Sequence, residues 1–405
     1  MGKYTFYNAL LEKITFFILY AFLARHLEKE LYGNVILVFT FSSIVYSFFE
    51  LGLNSYFQRE LTYKNVKTGL KIDQAIILRI ISFILYISIN FIYLIPKTNI
   101  SFFSVLIILI LVFLLNINTF FSNIFYGLSD FKTPFKSLFT ARIIFIAFFL
   151  VSIIFSPGLE IIISSLFISV ICQCVLNIKY LKVSGVKVRI YKINPTLIKS
   201  ILKSSLPMGI GVIFVWLYNK SDIILIQQMV GFKEVAEYAV AYSIYQLSIF
   251  FPGIFLVPLF SELSFEFNKN KFINFKYVYN TAIYLILISF LIIIVLLLIG
   301  DKIILIVYGK EYLLSKNILY YLIIAIPGLF LNNLTGVTLN SIHKEKLVMI
   351  STFFAFLINI IFNLIYIPKI GITAAIISTI LAEYSALFIQ LIFVYYAQKE
   401  LACKI

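Results

Sequence analysis

Twelve apolar stretches of about 20 residues follow one another along this chain, each long enough to cross ~30 Å of hydrocarbon at about 1.5 Å per residue. They predict membrane-spanning helices over 8–25, 33–56, 74–95, 101–125, 137–155 and 159–179, then over 206–228, 235–260, 277–299, 317–339, 347–367 and 371–396. The short alternating segments of an outer-membrane barrel are not the pattern. The chain is therefore expected to be an all-α polytopic membrane protein. Its predicted organisation is an N-terminal six-helix bundle (1–179), a basic cytoplasmic linker (180–205) and a C-terminal six-helix bundle (206–405). A faint repeat supports two halves: Glu30-Leu31-Tyr32-Gly33 opens the second span and Ala236-Glu237-Tyr238-Ala239 the eighth. Parallel repeats of this kind are a known transporter plan.

Composition narrows the class. With 62% hydrophobic and 13% charged residues, an ordinary soluble domain is excluded. A net charge of +15 would suit nucleic acid, but the basic residues lie in short connections and not on a soluble face, so no nucleic-acid partner is expected. Of the 33 Lys and Arg, 24 fall at the N-terminus, the even-numbered connections and the tail, and 8 on the other side. Basic loops resist translocation, which predicts a multi-pass protein of the cell (inner) membrane with both termini cytoplasmic. Lys182, Lys187, Arg189, Lys192, Lys199 and Lys203 in the linker read as a topology signal before they read as a site for anionic lipid. Arg79 and Arg142, near cytoplasmic ends, are expected to snorkel to the interface. The first apolar run leads directly into a second with no small-residue cleavage site, so it reads as an uncleaved span.

Three cysteines, Cys172, Cys174 and Cys403, and two histidines, His26 and His343, are too few and scattered for a metal cluster or a disulfide framework. No metal or cofactor is expected. There is no GxxxxGK[ST] motif for ATP, and the short outer loops, without Asp-x-Asp, argue against a membrane glycosyltransferase or polymerase. No catalytic residue is assigned.

The candidate chemistry is polar groups at membrane depth. A charge there costs about 2.5–3.5 kcal/mol on insertion scales, so it faces a protein interior or a wet cavity. Lys220 and Asp222 lie in the seventh span, two residues apart, and so point about 200° away from each other and do not pair directly. They are expected to wall a polar passage; the alternative is that they only hold helices together. Arg25, at the outer end of the first span, suits a diphosphate through its guanidinium fork, or anchors the helix at the interface. Glu237, near the outer start of the eighth span, joins them as a cavity candidate. Glu383, close to the midplane of the last span, is a candidate with Asp222 for ion coupling, or makes a structural hydrogen bond. Glu50 is expected to reach cytoplasmic water. Asn116, Asn118, Asn332, Asn333, Asn359 and Asn363 bind sugars or glue helices. Pro207, Pro252, Pro258 and Pro327, with nearby glycines, predict breaks in the seventh, eighth and tenth spans.

Several stretches match a family in order and spacing. They are Ala24-Arg25-His26-Leu27 with Tyr32-Gly33, Glu50-Leu51-Gly52-Leu53 with Arg59, and Asp222 followed by Val235 and Glu237-Tyr238. Tyr308-Gly309-Lys310-Glu311-Tyr312 and the run from Asn363 through Pro368 and Gly371 to Ala375, with Glu383 beyond, complete the set. Over nearly its whole length the sequence resembles the Wzx-type polysaccharide flippases (O-antigen or repeat-unit translocases) of the multidrug/oligosaccharidyl-lipid/polysaccharide exporter superfamily. His26-Leu27-Glu28 departs from the leucine-glycine pair more usual there, which leaves the local turn open. The resemblance implies two six-helix lobes forming a V around a cationic central cavity. It implies as substrate an oligosaccharide repeat unit on a polyprenyl diphosphate, moved to the outer leaflet for surface polysaccharide such as lipopolysaccharide. Arg25 and Lys220 would attract the diphosphate or acidic sugars, and Asp222 would tune the site. Membrane lipids, a polysaccharide polymerase and chain-length proteins are the implied partners, and a cation-coupled drug exporter of the same superfamily is the second expectation.

Overall fold

The computed structural model describes residues 2–62, 68–155, 158–184 and 193–402. Residues 185–192, with Lys187, Arg189 and Lys192 of the linker, and Cys403 lie outside the described residues. The helices are α1 (Gly2–His26), α2 (Lys29–Glu50), α3 (Leu53–Thr62), α4 (Thr68–Leu94), α5 (Phe102–Gly127), α6 (Lys132–Phe155), α7 (Leu159–Val183) and α8 (Pro195–Met229). They continue as α9 (Phe232–Leu247), α10 (Phe250–Asn270), α11 (Phe275–Val307), α12 (Ser315–Leu322), α13 (Ile326–Ser341), α14 (Glu345–Ile370) and α15 (Ile372–Ala402). Among the described residues twelve helical stretches are long and apolar enough to cross a membrane, and each coincides with one expected span.

Where the elements depart from the hydropathy pattern, backbone chemistry explains it. The second span is not one helix to residue 56. It stops at Glu50, because Leu51 and Gly52 take left-handed φ values of 56° and 72°. Glu50 itself makes the stop useful: its carboxylate accepts from the Gly52 and Asn54 backbone N–H groups, both at 2.8 Å, and so caps the start of α3. Contrary to expectation it is buried instead of reaching water. Gly52 is also a contact point, since a Cβ there would overlap the Ser205 carbonyl oxygen. The eighth span breaks into α9 and α10 at Ser248–Ile249, before Pro252. The tenth breaks into α12 and α13 with Pro327 in the first turn of α13, where its missing N–H costs nothing. In the seventh no break occurs, and α8 runs through position 207. The expected linker is largely the ends of α7 and α8.

The chain divides into two compact units: Lys3–Phe16 with Asn34–Trp216, and Phe17–Gly33 with Leu217–Ile405. In the first, Phe57, Phe120, Phe125 and Leu53 centre a core to which α3, α5, α7 and α8 contribute. Asn118 of α5 donates to the Val170 carbonyl at 3.1 Å and accepts from Asn177 at 2.9 Å, fastening α5 to α7. In the second, α14 and α15 lie side by side on small residues, Ala355 against Ala382 and Ala386, which lets the backbones approach. Gln390 of α15 ties its neighbours, accepting from Thr335 of α13 at 2.7 Å and donating to Ser351 of α14 at 2.9 Å. On α11, the exposed Tyr284, Leu287, Leu291, Ile294 and Leu298 recur every three or four residues and form a lipid-facing stripe.

Candidate functional site

Asp222 projects from α8 into the second unit and is 2% exposed. Three helices supply it with donors. Tyr238 of α9 gives its hydroxyl to Oδ2 at 2.8 Å, Thr379 of α15 donates to the same oxygen at 3.2 Å, and Asn363 of α14 donates to Oδ1 at 2.6 Å. A shell of amides continues outward: Asn363 also donates to Asn359 at 3.3 Å, and Asn359 accepts from Ser221 at 3.1 Å and donates to Ser378 at 3.2 Å. Buried polar groups in apolar surroundings are held this way because an unpaired one costs more than the bond returns.

Glu383, one helical turn beyond Thr379 on α15, is likewise 2% exposed. It accepts from Asn332 of α13 at 3.2 Å and Tyr245 of α9 at 3.4 Å. The two carboxylates thus share a helix face of α9, where Tyr238, Tyr242 and Tyr245 are spaced by four and three residues. Their rings form a ladder with centroids 5.4 Å and 5.5 Å apart. Tyr242, in the middle, donates to the Asn219 carbonyl at 3.0 Å. Lys220 places its ammonium 5.3 Å from the Tyr242 ring centroid, a cation–π contact. All hydrogen-bond donors recorded on the two carboxylates among the described residues are neutral hydroxyls and amides.

The other expected residues lie elsewhere in this unit. Arg25, exposed in the last turn of α1, donates to the Ile306 carbonyl at 2.8 Å. Glu237 is bound to Lys29, with Nζ–Oε1 2.9 Å, and the Lys29 ammonium also sits 5.4 Å from the Tyr312 centroid. That pair joins the starts of α2 and α9, where Gly33 approaches so closely that a Cβ would overlap the Phe232 carbonyl. Asp222 and Glu383 are therefore brought to one tyrosine ladder together with Lys220, while Arg25 and Glu237 bind elsewhere, at the Ile306 carbonyl and Lys29.

Sequence reasoning missed the ladder and Thr379. The signal was available as polar residues recurring at three or four positions on apolar helices: Tyr238/Tyr242/Tyr245, Asn359/Asn363 and Thr379/Glu383. It also misplaced two arginines. Neither Arg79 nor Arg142 snorkels; both are buried within the first unit. Arg79 donates to Asn54 at 2.8 Å and to the Tyr46 hydroxyl, and lies 4.4 Å from the Phe120 ring centroid. A planar guanidinium can satisfy all three in one position.

A family model described as polysaccharide biosynthesis protein matches residues 2–264, more than half of the chain. The chain belongs to that family. A second model, MatE, matches residues 207–365 of this polysaccharide biosynthesis family member. No curated protein matches. Among solved structures, an inward-facing multidrug resistance MATE family transporter of the MOP superfamily is similar, with TM-score 0.74 and 15% identity over 98% of this chain and 95% of that one. Lipid II flippase MurJ in an inward closed conformation gives TM-score 0.74 and 15% identity over 98% and 89%. A MOP superfamily transporter from Pyrococcus furiosus gives 0.69 and 16% over 99% and 95%. At such identities the likeness is one of fold, and it extends over nearly the whole of this chain.

Proposed function

We propose that this family member is a flippase that moves a polyprenyl-diphosphate-linked oligosaccharide repeat unit from the cytoplasmic to the outer leaflet of the cell membrane, for surface polysaccharide assembly. The observation that carries the proposal is the polysaccharide biosynthesis match over residues 2–264 in a chain whose whole fold is like that of a lipid II flippase. Transport is by alternating access, the route opening to one face of the membrane and then the other, with no covalent chemistry. The two compact units are the moving bodies, both termini are cytoplasmic, and a polymerase and chain-length proteins act on the product.

Arg25 and Lys220 attract the diphosphate or acidic sugars in this scheme. Asp222 and Glu383 couple the cycle to an ion gradient. Support for that role comes from their burial, their neutral partners and the tyrosine ladder joining them: a carboxylate with no fixed cation is free to exchange a proton or a metal cation when the site opens. The test is reconstitution in vesicles with a fluorescent polyprenyl-diphosphate oligosaccharide, reading protection of the label from a membrane-impermeant quencher. Label that becomes reachable only with the protein present is the expected result. Equal accessibility with and without protein removes the proposal.

A second reading, a cation-coupled drug exporter, is favoured by the MatE match over residues 207–365. Gradient-driven efflux of cationic dyes without movement of the lipid-linked sugar would select it. Sugar incorporation by the purified protein in detergent would instead mark a glycosyltransferase or polymerase.

A further inference from the structure

The first unit holds a cavity of about 260 Å³ formed by α1, α5, α6 and α7. Arg142 of α6 lines it, and its guanidinium is stranded there. The residue is 3% exposed, and among the described residues none of its three side-chain nitrogens has a hydrogen-bond partner. Two other buried residues lining the same cavity have an unmatched acceptor: Asn8 at Oδ1, whose Nδ2 is already given to Tyr126 at 2.8 Å, and Gln173 at Oε1. An unpaired buried polar atom costs roughly 1–3 kcal/mol, so five at one cavity describe a site whose partners come from outside the chain.

The unmet groups define the ligand. A guanidinium with its nitrogens free matches a planar pair of anionic oxygens. The two carbonyl acceptors call for two O–H or N–H donors on the same molecule, and the hydrogen phosphate dianion carries only one. Among the described residues Glu12 is the one acidic residue lining the cavity and Arg142 the one basic residue, so the site suits a single negative charge better than two. The volume is just below the ~300–1,000 Å³ of ordinary small-molecule sites, enough for one sugar ring and not for a chain of them.

We propose that this cavity is a subsite for one carboxylate-bearing sugar residue, a hexuronate, with Arg142 holding the carboxylate and Asn8 and Gln173 accepting from ring hydroxyls. That the sugar belongs to a carried oligosaccharide rests on the flippase reading; the binding itself does not. The subsite selects acidic repeat units over neutral ones.

The experiment is equilibrium binding of methyl glucuronide, methyl glucoside and inorganic phosphate to the purified full-length protein in nanodiscs. Methyl glucuronide is expected to bind at least 10-fold more tightly than methyl glucoside, and phosphate not to displace it. Arg142→Gln removes that preference, Asn8→Leu and Gln173→Leu weaken both sugars alike, and Lys132→Gln, exposed at the start of α6 outside the cavity, changes nothing. If Arg142→Gln does not accumulate, Arg142→Lys decides, because it keeps the charge and loses the fork: unchanged glucuronide affinity overturns the proposal. Displacement by phosphate overturns it in favour of a phosphate or lipid-headgroup site, and no saturable binding overturns it in favour of a cavity that holds only water. Flipping of a uronate-bearing lipid-linked oligosaccharide in vesicles, measured in parallel, reports on the flippase reading separately. Absence of flipping by protein that still binds methyl glucuronide in nanodiscs leaves the subsite intact and removes only the transport claim.

Discussion

Replacing Asp222 by alanine removes the acceptor on which three buried donors converge, and the structure says how many are left stranded. Thr379 keeps the Ala375 carbonyl at 2.9 Å, and Asn363 keeps Asn359 at 3.3 Å. The Tyr238 hydroxyl retains only the long 3.3 Å contact to Thr379. One donor is thus orphaned, which costs roughly 1–3 kcal/mol, and within membranes measured values sit nearer the bottom of that range. At about 2–4 °C per kcal/mol for a body of this size, the apparent Tm should fall by several degrees.

Asp222→Asn is the informative partner. Its amide oxygen takes the Asn363 bond, its NH₂ group donates to the Tyr238 and Thr379 hydroxyl oxygens, and the loss stays below about 1 kcal/mol. Thermal unfolding of both variants in detergent, beside gradient-driven transport in vesicles, is the assay. The expected pattern is an alanine variant of lowered Tm and an asparagine variant of near-normal Tm whose transport no longer responds to the gradient. An asparagine variant as unstable as the alanine one would refute the assignment of neutral, interchangeable donors. Normal gradient-driven transport by it would remove Asp222 from coupling.

Other outcomes follow from particular contacts. Arg79→Ala leaves Asn54 and Tyr46 without their donor and a hole against Phe120; a destabilisation of about 3 kcal/mol or more is expected, read as loss of monodisperse protein on size exclusion, with Arg79→Lys only partly rescuing. Gly33→Ala and Gly52→Ala each drive a methyl into a backbone carbonyl, at Phe232 and Ser205, and Gly52 adds a φ of +72°; membrane yield should drop sharply for both, and normal yield would show that those approaches relax. The half-buried Lys29–Glu237 pair should contribute no more than about 1 kcal/mol, so Glu237→Gln shifts Tm little. The exchange of Lys29→Glu with Glu237→Lys should restore what either single reversal loses.

Much of the architecture was legible because it is local. A transmembrane helix is specified by its own 20 or so side chains, so each of the twelve spans could be placed without knowing its neighbours. Breaks were legible where a proline begins a new helix inside a span, as at Pro327, and illegible at Leu51–Gly52, where a left-handed turn is stabilised by Glu50 folding back on the chain. Arg79 and Arg142 show the limit more sharply. Near a membrane surface a lone arginine and a buried one look alike in sequence, and only the presence of Tyr46 and Asn54, or of a cavity between helices, distinguishes them.

Charged and amide residues at depth could be found by their cost in hydrocarbon, so Asp222, Lys220 and Glu383 stood out from the sequence alone. Their partners did not. Asn363 is 141 positions from Asp222, and Tyr245 is 138 from Glu383. Hydropathy reports how much each helix prefers oil, and its period reports which face is polar; neither says which polar face it will meet. That choice is made when the helices pack, because only then does leaving a donor unpaired in a dry interior carry its full cost.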